Sequence, residues 1–429
     1  MSAIFGKIYY HTSNRISSEC ETMLNGYQKC VADRFHAENF QTGFMGCCQL
    51  FVQKNDEKDI LPLTIGSICI DFDGMLDNVE ELIIELGLPT DTPNGNIIYH
   101  AYKKWQIDML SHLKGIYALA IYNKSDDTLF LANDRTASRC LYYYVNEKEC
   151  IFSTLLRPIL SVQSEQSPLS EQYLSDFAIL PGLMPSLTPH ETPYEHIFKL
   201  EPATYLLIKG GNILVKEYYW HPVPDSKVYK KKECGSAFMN LFNQCVAKAI
   251  DTPYEIGIAM SSGLDSSSVG AVAATLLRAQ NRSLYSYTYV PITDEIEKTH
   301  DYDIVNEKED VLKIVAMHPN MIPHFITNEG KDCYQELDTI LEEMEIPIKS
   351  FVNSPILRFL YKSARQEGCR IVLNGQFGNS TVSYGMPDDI LYHFYQTKQY
   401  GTLLWNQWKY CKRAHIPFLK DTKALLRYF

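Results

Sequence analysis

The sequence predicts two domains of different class: an α+β half, then an α/β half built on a doubly wound parallel sheet. Three observations carry that prediction. Up to about Trp220 the chain is a succession of β-branched and aromatic runs bounded by Gly, Asn and Asp, which is the pattern of antiparallel strands. Beyond residue 232 short apolar runs alternate with longer helical stretches, the pattern of a parallel sheet with helical crossovers. Between them, His221-Pro-Val-Pro-Asp-Ser-Lys-Val-Tyr-Lys-Lys-Lys232 joins two prolines to a lysine run, which suits an exposed connection. Domains are therefore expected at 1–220 and 233–429, with a linker at 221–232.

Taken in order, strands are expected at residues 4–10, 44–52, 65–72, 116–122, 128–132 and 141–145, with helices at 78–86 and 96–113. Two hairpins stand out. Residues 116–122 turn through Asn123-Lys-Ser-Asp-Asp127 into 128–132, and residues 204–209 turn at Gly210-Gly211 into 213–219. The second half reads as helix 235–250, strand 255–260, helix 266–278, strand 284–290, helix 306–317 and strand 324–327. Helices 333–344 and 354–367 and strand 370–373 follow.

Composition narrows the functional classes. The 429 residues, 45% hydrophobic and 21% charged, suit two or three globular domains at roughly 150 residues each and exclude a disordered or collagen-like chain. A net charge of −11 repels phosphate backbones and argues against a nucleic-acid partner. The twelve cysteines form no C-x-x-C pair, only the adjacent Cys47 and Cys48, and the twelve histidines form no H-E-x-x-H, so zinc-site spacing is missing. The cysteines are expected as small buried hydrophobes in a reducing compartment. The N-terminus lacks a basic segment followed by an apolar one, and no apolar run approaches the ~18 residues of a span, so a soluble, cytoplasmic protein without a membrane partner is expected.

The sharpest local feature is Ile256-Gly-Ile-Ala-Met-Ser-Ser-Gly-Leu-Asp-Ser-Ser-Ser-Val269: an apolar strand, a turn of small hydroxyl residues, then an Ala-rich helix. In a parallel sheet, ligands sit beyond the carboxyl ends of strands, where a helix N-terminus offers unpaired N–H groups and the positive end of its dipole. An anion belongs there. Ser261, Ser262, Ser266 and Ser267 add hydroxyl donors, Gly263 lets a phosphate approach the backbone beside Leu264, and Asp265 could hold a Mg²⁺ that bridges phosphate oxygens. Ser and Asp also cap helices with no ligand in view, so the string alone says little. A second turn, Ile371-Val-Leu-Asn-Gly-Gln-Phe-Gly-Asn-Ser380, ends another expected strand and falls on the same sheet edge, so its Gly375 is expected to face the first loop. Glu342, Glu343 and Glu345 cluster before Ile346-Pro347, where a helix must stop, and most such acidic runs are solvated faces.

The loop at Ser261 to Ser267 resembles the pyrophosphate loop of the ATP pyrophosphatases, pattern S-G-G-x-D-S, with Ser262 standing where the first Gly would be. Together with the order of the two halves and the Gly375 turn, it is similar to glutamine-dependent asparagine synthetases and their relatives. Further matches run through the first half. Met1-Ser-Ala-Ile-Phe-Gly6 is similar to that family's Met-Cys-Gly-Ile-Phe-Gly start, and Phe72-Asp-Gly-Met-Leu-Asp-Asn78 stands where the family has Asn-Gly-Glu-Ile-Tyr-Asn. Lys114-Gly-Ile-Tyr-Ala-Leu-Ala-Ile-Tyr122, Leu131-Ala-Asn-Asp-Arg135 and Leu141-Tyr-Tyr143 track a further stretch. The resemblance implies an Ntn-hydrolase-like, class II glutaminase-like first domain and an ATP-pyrophosphatase (PP-loop) second domain. It implies ATP and Mg²⁺ as cofactors, and Ser261 to Ser267 with Gly375 as the nucleotide-binding set.

Departures from the family refine this. Its glutaminase domains use an N-terminal Cys as nucleophile, with the α-amino group as base. Here that position is Ser2, and the Asn that helps hold the oxyanion is replaced by Asp73, whose charge opposes a developing negative oxygen. The glutaminase is expected to be inactive. Asparagine synthetases carry Gly-Glu-Gly-Ser-Asp where this chain has Gly375-Gln-Phe-Gly-Asn379. Gln376 cannot act as acid or base, and Asn379 offers Mg²⁺ a neutral oxygen. Both are carried as catalytic candidates, with Asp265, Asn379 and Glu307 as metal candidates. The ordered set Met-Ser-Ala-Ile, Tyr287-Thr-Tyr-Val-Pro291, Asn306-Glu307, His318-Pro-Asn320 and Leu373-Asn-Gly-Gln-Phe-Gly-Asn-Ser-Thr-Val-Ser383 resembles the asparagine-synthetase homologues of lasso-peptide biosynthesis, which close a macrolactam; β-lactam synthetases are similar. The implied substrates are a small-molecule or peptide carboxylate and an amine, and the implied partners are a precursor peptide and its processing protease. Asparagine synthase proper and a non-catalytic nucleotide- or peptide-binding scaffold are the alternatives. The given sequence stops at Lys423-Ala-Leu-Leu-Arg-Tyr-Phe429, in a basic helical stretch, where the resemblance implies further helices; a truncated chain, a separate polypeptide that completes the site and a loss of activity are the alternatives.

Overall fold

The computed structural model describes residues 2–11, 13–28, 30–223, 230–292, 306–378, 381–382, 387–414, 416–420 and 422–423. The first half stacks two six-stranded sheets whose pairings are antiparallel. In one, Ala3–Tyr9 lies between Gly43–Gln49 and Glu149–Ser153; in the other, Gly115–Asn123 lies between Ile68–Leu76 and Thr128–Asn133. Ile4, Ile8, Met45 and Cys47 of the first sheet share one core with Ile70, Phe72, Leu119 and Ile121 of the second. Helices Ile16–Gly26 and Leu156–Val162 cover the outside of the first sheet, and Val79–Leu86 and Asn94–Trp105 cover the second. The result is a helix–sheet–sheet–helix stack, the layering that the resemblance implies for the first domain.

Both expected hairpins form. Asn123 pairs with Thr128, and Lys209 pairs with Asn212 across Gly210 and Gly211, whose φ values of +55° and +79° fit a tight primed turn. Several elements differ from expectation. The run at 65–72 contains a turn at Gly66, φ +62°, so Leu63–Ile65 and Ile68–Leu76 are separate paired strands. The expected helix at 96–113 is broken at Gln106, φ +51°, into Asn94–Trp105 and Met109–His112. Strand Arg34–Phe40 escaped notice because it has few apolar residues and lies half-exposed at a sheet edge. Helix Ile16–Gly26 is dominated by Ser, Glu and Asn, and tertiary packing of Cys20 and Met23 outweighs its weak local signal. The lysine run does not stay in an open connection, since helix Lys231–Ala249 begins inside it. Of the cysteines, Cys140, Cys234 and Cys245 are exposed rather than buried.

The second half carries a four-stranded parallel sheet in the order Met321–Ile326, Leu284–Tyr289, Glu255–Ala259, Cys369–Leu373. Alternation along the Glu255 strand sorts its two faces. Ile256 and Ile258 pack with Ala273, Ala274 and Leu277 of helix Leu264–Ala279, whereas Ala259 packs with Leu360 and Ala364 of helix Ser354–Gln366. Helices on both faces confirm the doubly wound class. The chain leaves the Glu255 strand toward Leu284–Tyr289 on one side and returns to its other side as Cys369–Leu373. The topological switch point therefore lies between the carboxyl ends of the Glu255 and Cys369 strands.

Candidate active site

Both loops singled out in the sequence leave the sheet at that switch point, and they touch. The first enters helix Leu264–Ala279 through Gly263, which is extended and supplies no side-chain cap, so the first-turn N–H groups are free for a ligand. The second loop packs straight onto that turn. A Cβ on Gly375 would stand 2.3 Å from the Ser266 backbone N, and one on Gly378 would stand 2.3 Å from Asp265 Cγ. Only glycine lets the two loops meet. Gly375 makes this contact possible, and Gly378, which sequence reasoning left unassigned, holds the loop against the Asp265 carboxylate.

The serines divide into two groups. Ser266 is buried, its hydroxyl accepts the Ser261 N–H at 3.0 Å, and the Ser261 and Ser266 hydroxyls lie 2.7 Å apart. Gly263 N–H donates to Ser261 Oγ at 3.2 Å, and Ser267 Oγ donates to the Leu264 carbonyl at 3.2 Å. These hydroxyls shape the turn. What remains for an anion is the backbone at the start of the helix, from the exposed Leu264 onward, with the half-buried Ser262 and Asp265 beside it. Glu307, just before helix Lys308–Ala316, accepts the Ser262 N–H at 2.7 Å. A carboxylate already seated on a loop N–H shows that this group can take an anionic oxygen.

Gln376 is exposed, with its backbone N–H donating to Asn374 Oδ1 at 3.0 Å, and its side chain lines a cavity that also touches Asp265. Asn379 lies outside the described residues. Among the described residues no three His, Cys, Asp or Glu side chains converge as a metal cluster. Mg²⁺ suits such a site when most of its ligands are phosphate and water oxygens, with Asp265 as the protein carboxylate.

In the first half, the half-buried Ser2 Oγ accepts the Leu50 N–H at 2.9 Å and lies 3.3 Å from the Leu50 carbonyl. Asp73 is 2% exposed, and Arg139 Nε stands 3.5 Å from its Oδ1. Burial raises the Asp73 pKa, and the Arg139 charge opposes the rise. Asp71 on the same strand is fully buried and is pushed well above the usual carboxylate range.

The acidic cluster joins the halves and does not enter the loop site. Glu345 takes the Leu156 and Arg157 N–H groups at 2.5 and 3.3 Å, capping helix Leu156–Val162 from the other domain. Glu342 accepts from Arg157 through its carbonyl at 2.5 Å, and Glu343 pairs with Arg358 at 3.0 Å. Arg370 pairs with both oxygens of Asp33 at 2.7 and 2.9 Å across the same interface. This clasp was invisible in sequence, because its partners lie more than 180 residues apart.

The fold and loops define a two-domain protein: an amidotransferase-type half and a nucleotide-loop half with a parallel sheet. Residues 1–220 match the model of the glutamine amidotransferase domain, and residues 237–398 match that of asparagine synthase. The chain belongs to the asparagine synthetase family. A protein of Methanocaldococcus jannaschii assigned as glutamine-hydrolysing asparagine synthetase 2 is 28% identical over 223 residues, covering 52% of this chain and 42% of that protein. Glutamine-hydrolysing asparagine synthetase 3 of Bacillus subtilis is 24% identical over 294 residues, covering 67% of this chain and 47% of that protein. The chain therefore spans less than half the length of either relative. Among solved structures, glutamine phosphoribosylpyrophosphate amidotransferase of B. subtilis is 14% identical with a TM-score of 0.38, covering 76% of this chain and 91% of that one. Among the described residues no helix is long and apolar enough to cross a membrane.

Proposed function

We propose that this protein is an ATP-dependent amide-forming ligase that works through an acyl-adenylate with Mg²⁺ in the cytoplasm. A substrate carboxylate attacks the α-phosphorus of ATP and expels pyrophosphate. An amine then attacks the acyl carbon and expels AMP. One observation carries the reading: two glycine-dependent loops meet at the switch point of a parallel sheet, leaving an uncapped helix N-terminus beside a carboxylate. Backbone N–H groups of Leu264 and Asp265 would offset charge on the leaving pyrophosphate, Asp265 would help hold a Mg²⁺ on the phosphates, and Gln376 would face the substrate as a neutral donor and acceptor.

Closure of a peptide macrolactam is the product we favour. Its support is a set of residue departures: Ser2 in place of the N-terminal Cys, Asp73 in place of the oxyanion Asn, and Gln376 in place of Glu. A precursor peptide and its protease are then the partners. The relatives' names favour a different product, asparagine, formed with ammonia from glutamine. The discriminating assay follows AMP and pyrophosphate from Mg-ATP, with a processed precursor peptide in one tube and aspartate plus glutamine in another. AMP with the peptide alone is expected, reduced at least tenfold by Asp265→Asn. AMP with the amino acids alone would overturn the macrolactam reading in favour of asparagine synthesis. Tight ATP binding without AMP in either tube would overturn the ligase and leave a scaffold.

A further inference from the structure

The first turns of helix Leu264–Ala279 form one wall of a cavity of about 570 Å³. Phe238, Met239 and Phe242 of helix Lys231–Ala249 face them, and Gln376 and Val382 close one side. We propose that this cavity is the subsite for an apolar body of the substrate joined at the loop, aliphatic or aromatic and without a second carboxylate. The inference rests on the ligase reading above and deepens it by naming a substrate class.

Size, continuity and charge each support it. The volume lies within the roughly 300–1,000 Å³ of small-molecule sites. Asp265, Gly375, Gln376 and Gly378 belong both to the two loops and to the cavity wall, so a body seated there places its reacting end at the phosphates. Asp265 is the sole charged side chain among the described lining residues. A dicarboxylate such as aspartate would bring a second anion against apolar walls and the Asp265 carboxylate, and the described lining residues include no Lys or Arg to pair it, so an apolar body fits the cavity better. Leu264, Val382, Met239 and Phe238 are 84%, 59%, 46% and 44% exposed. Exposed apolar side chains clustered beside a reactive loop are the surface a hydrophobic ligand covers.

The test uses the full chain, with N-phenyl-1-naphthylamine as a neutral apolar fluorescent probe. Mg-ATP binding is measured in parallel by calorimetry, and sedimentation velocity reports the oligomeric state. Expected is saturable probe binding that weakens at least tenfold in Val269→Glu and in Met239→Glu. The second variant alters an exposed side chain and carries little risk to folding. Ile179→Glu on the first half is the control that changes neither binding. ATP–pyrophosphate exchange is expected to be stimulated by 4-phenylbutyrate at least tenfold more than by aspartate, with that preference reduced in Met239→Glu. Probe binding indifferent to both cavity variants overturns the proposal, as does equal stimulation by aspartate. A dimer abolished by Met239→Glu would overturn it in favour of an interface between copies. Failure of Mg-ATP to bind would sink the ligase reading by itself, while the probe titration still decides whether the cavity takes an apolar ligand.

Discussion

Ser2 and Ser261 both place a small hydroxyl residue at the end of a sheet strand in a protein whose relatives do chemistry at both ends. Their surroundings have diverged. The Ser2 hydroxyl is engaged with the Leu50 backbone, and the neighbouring Asp73 is sealed in the core. The Ser261 hydroxyl also serves its own turn, yet that turn leaves the N–H groups at the start of a sixteen-residue helix uncapped and exposed. The difference teaches where function resides in each half. At the nucleophile position the chemistry would depend on one side chain, so we propose that the change to Ser2 beside Asp73 weakens it. At the loop of Ser261 to Ser267 the groups proposed to meet phosphate are backbone N–H groups, so a Ser262 in place of Gly would leave them available.

The strongest way to break this comparison is to disturb the loop's backbone without touching its polar side chains. Gly375→Ala puts a methyl group 2.3 Å from the Ser266 N, closer than any real contact, so one loop must move away from the other. Overpacking of this kind costs about 1–3 kcal/mol, and more where backbone must shift. Mg-ATP affinity measured by calorimetry is expected to fall by roughly tenfold to a hundredfold or more. Unchanged affinity would mean that the contact between the loops does not shape the site.

The buried acids of the first half give the next effect, read as a pH profile. Burial raises Asp59 to about 6, against the lowering effect of the Gly95 N–H and Arg34 and with Asp56 adding to the rise. A carboxyl whose folded pKa exceeds its unfolded value is favoured as the neutral form in the fold. That favourable term is present at low pH and is lost as pH rises through the folded pKa, here between about 4 and 6. Asp71 and Asp73 shift in the same direction. The Asp59 contribution to stability is therefore expected to fall between about pH 4 and 6, by on the order of 2–3 kcal/mol, lowering the unfolding midpoint of the wild-type protein over that range. Asp59→Asn should flatten that part of the profile. Identical profiles for the wild type and Asp59→Asn would contradict the burial of this acid.

A smaller effect is expected at the clasp. Glu345→Ala removes the carboxylate that caps helix Leu156–Val162, a loss of about 1 kcal/mol and a fall in the unfolding midpoint of roughly 2–4 °C. Arg157 loses a partner in the same step, so Arg157→Ala in the Glu345→Ala background should add less than it does alone. Full additivity would show that the two do not act as one contact.

How much of this was legible in sequence follows from how local each signal is. The strand, turn and helix at Ile256 to Val269 are contiguous, and the turn at Gly210-Gly211 announces itself by its two glycines; both were readable. The switch point was readable because strand–helix alternation fixes the class of sheet. The role of Gly378 against Asp265, the seat of Glu307 on Ser262 and the capping of one domain by Glu345 of the other were not. Each depends on side chains brought together by tertiary packing, with no periodicity along the chain to mark it. Half-exposed edge strands such as Arg34–Phe40 were missed for a related reason: they bury too little to impose a pattern.

The smallest expected effect is the most pointed test of the comparison. Ser2→Ala removes a hydroxyl that accepts from the Leu50 N–H, a local loss of about 1 kcal/mol, and should leave any release of glutamate from glutamine unchanged. The reason is chemical. Attack by Ser2 Oγ would create an oxyanion beside Asp73, and an ionised carboxylate there raises the barrier instead of lowering it. Arg139 at 3.5 Å offsets part of that charge, and protonation offsets more as pH falls, so the assay should be run at pH 5 as well as pH 7.5. Glutamate release that appears at pH 5 and vanishes with Ser2→Ala would show that a neutral Asp73 donates to the oxyanion, and the two ends of the protein would then both be active.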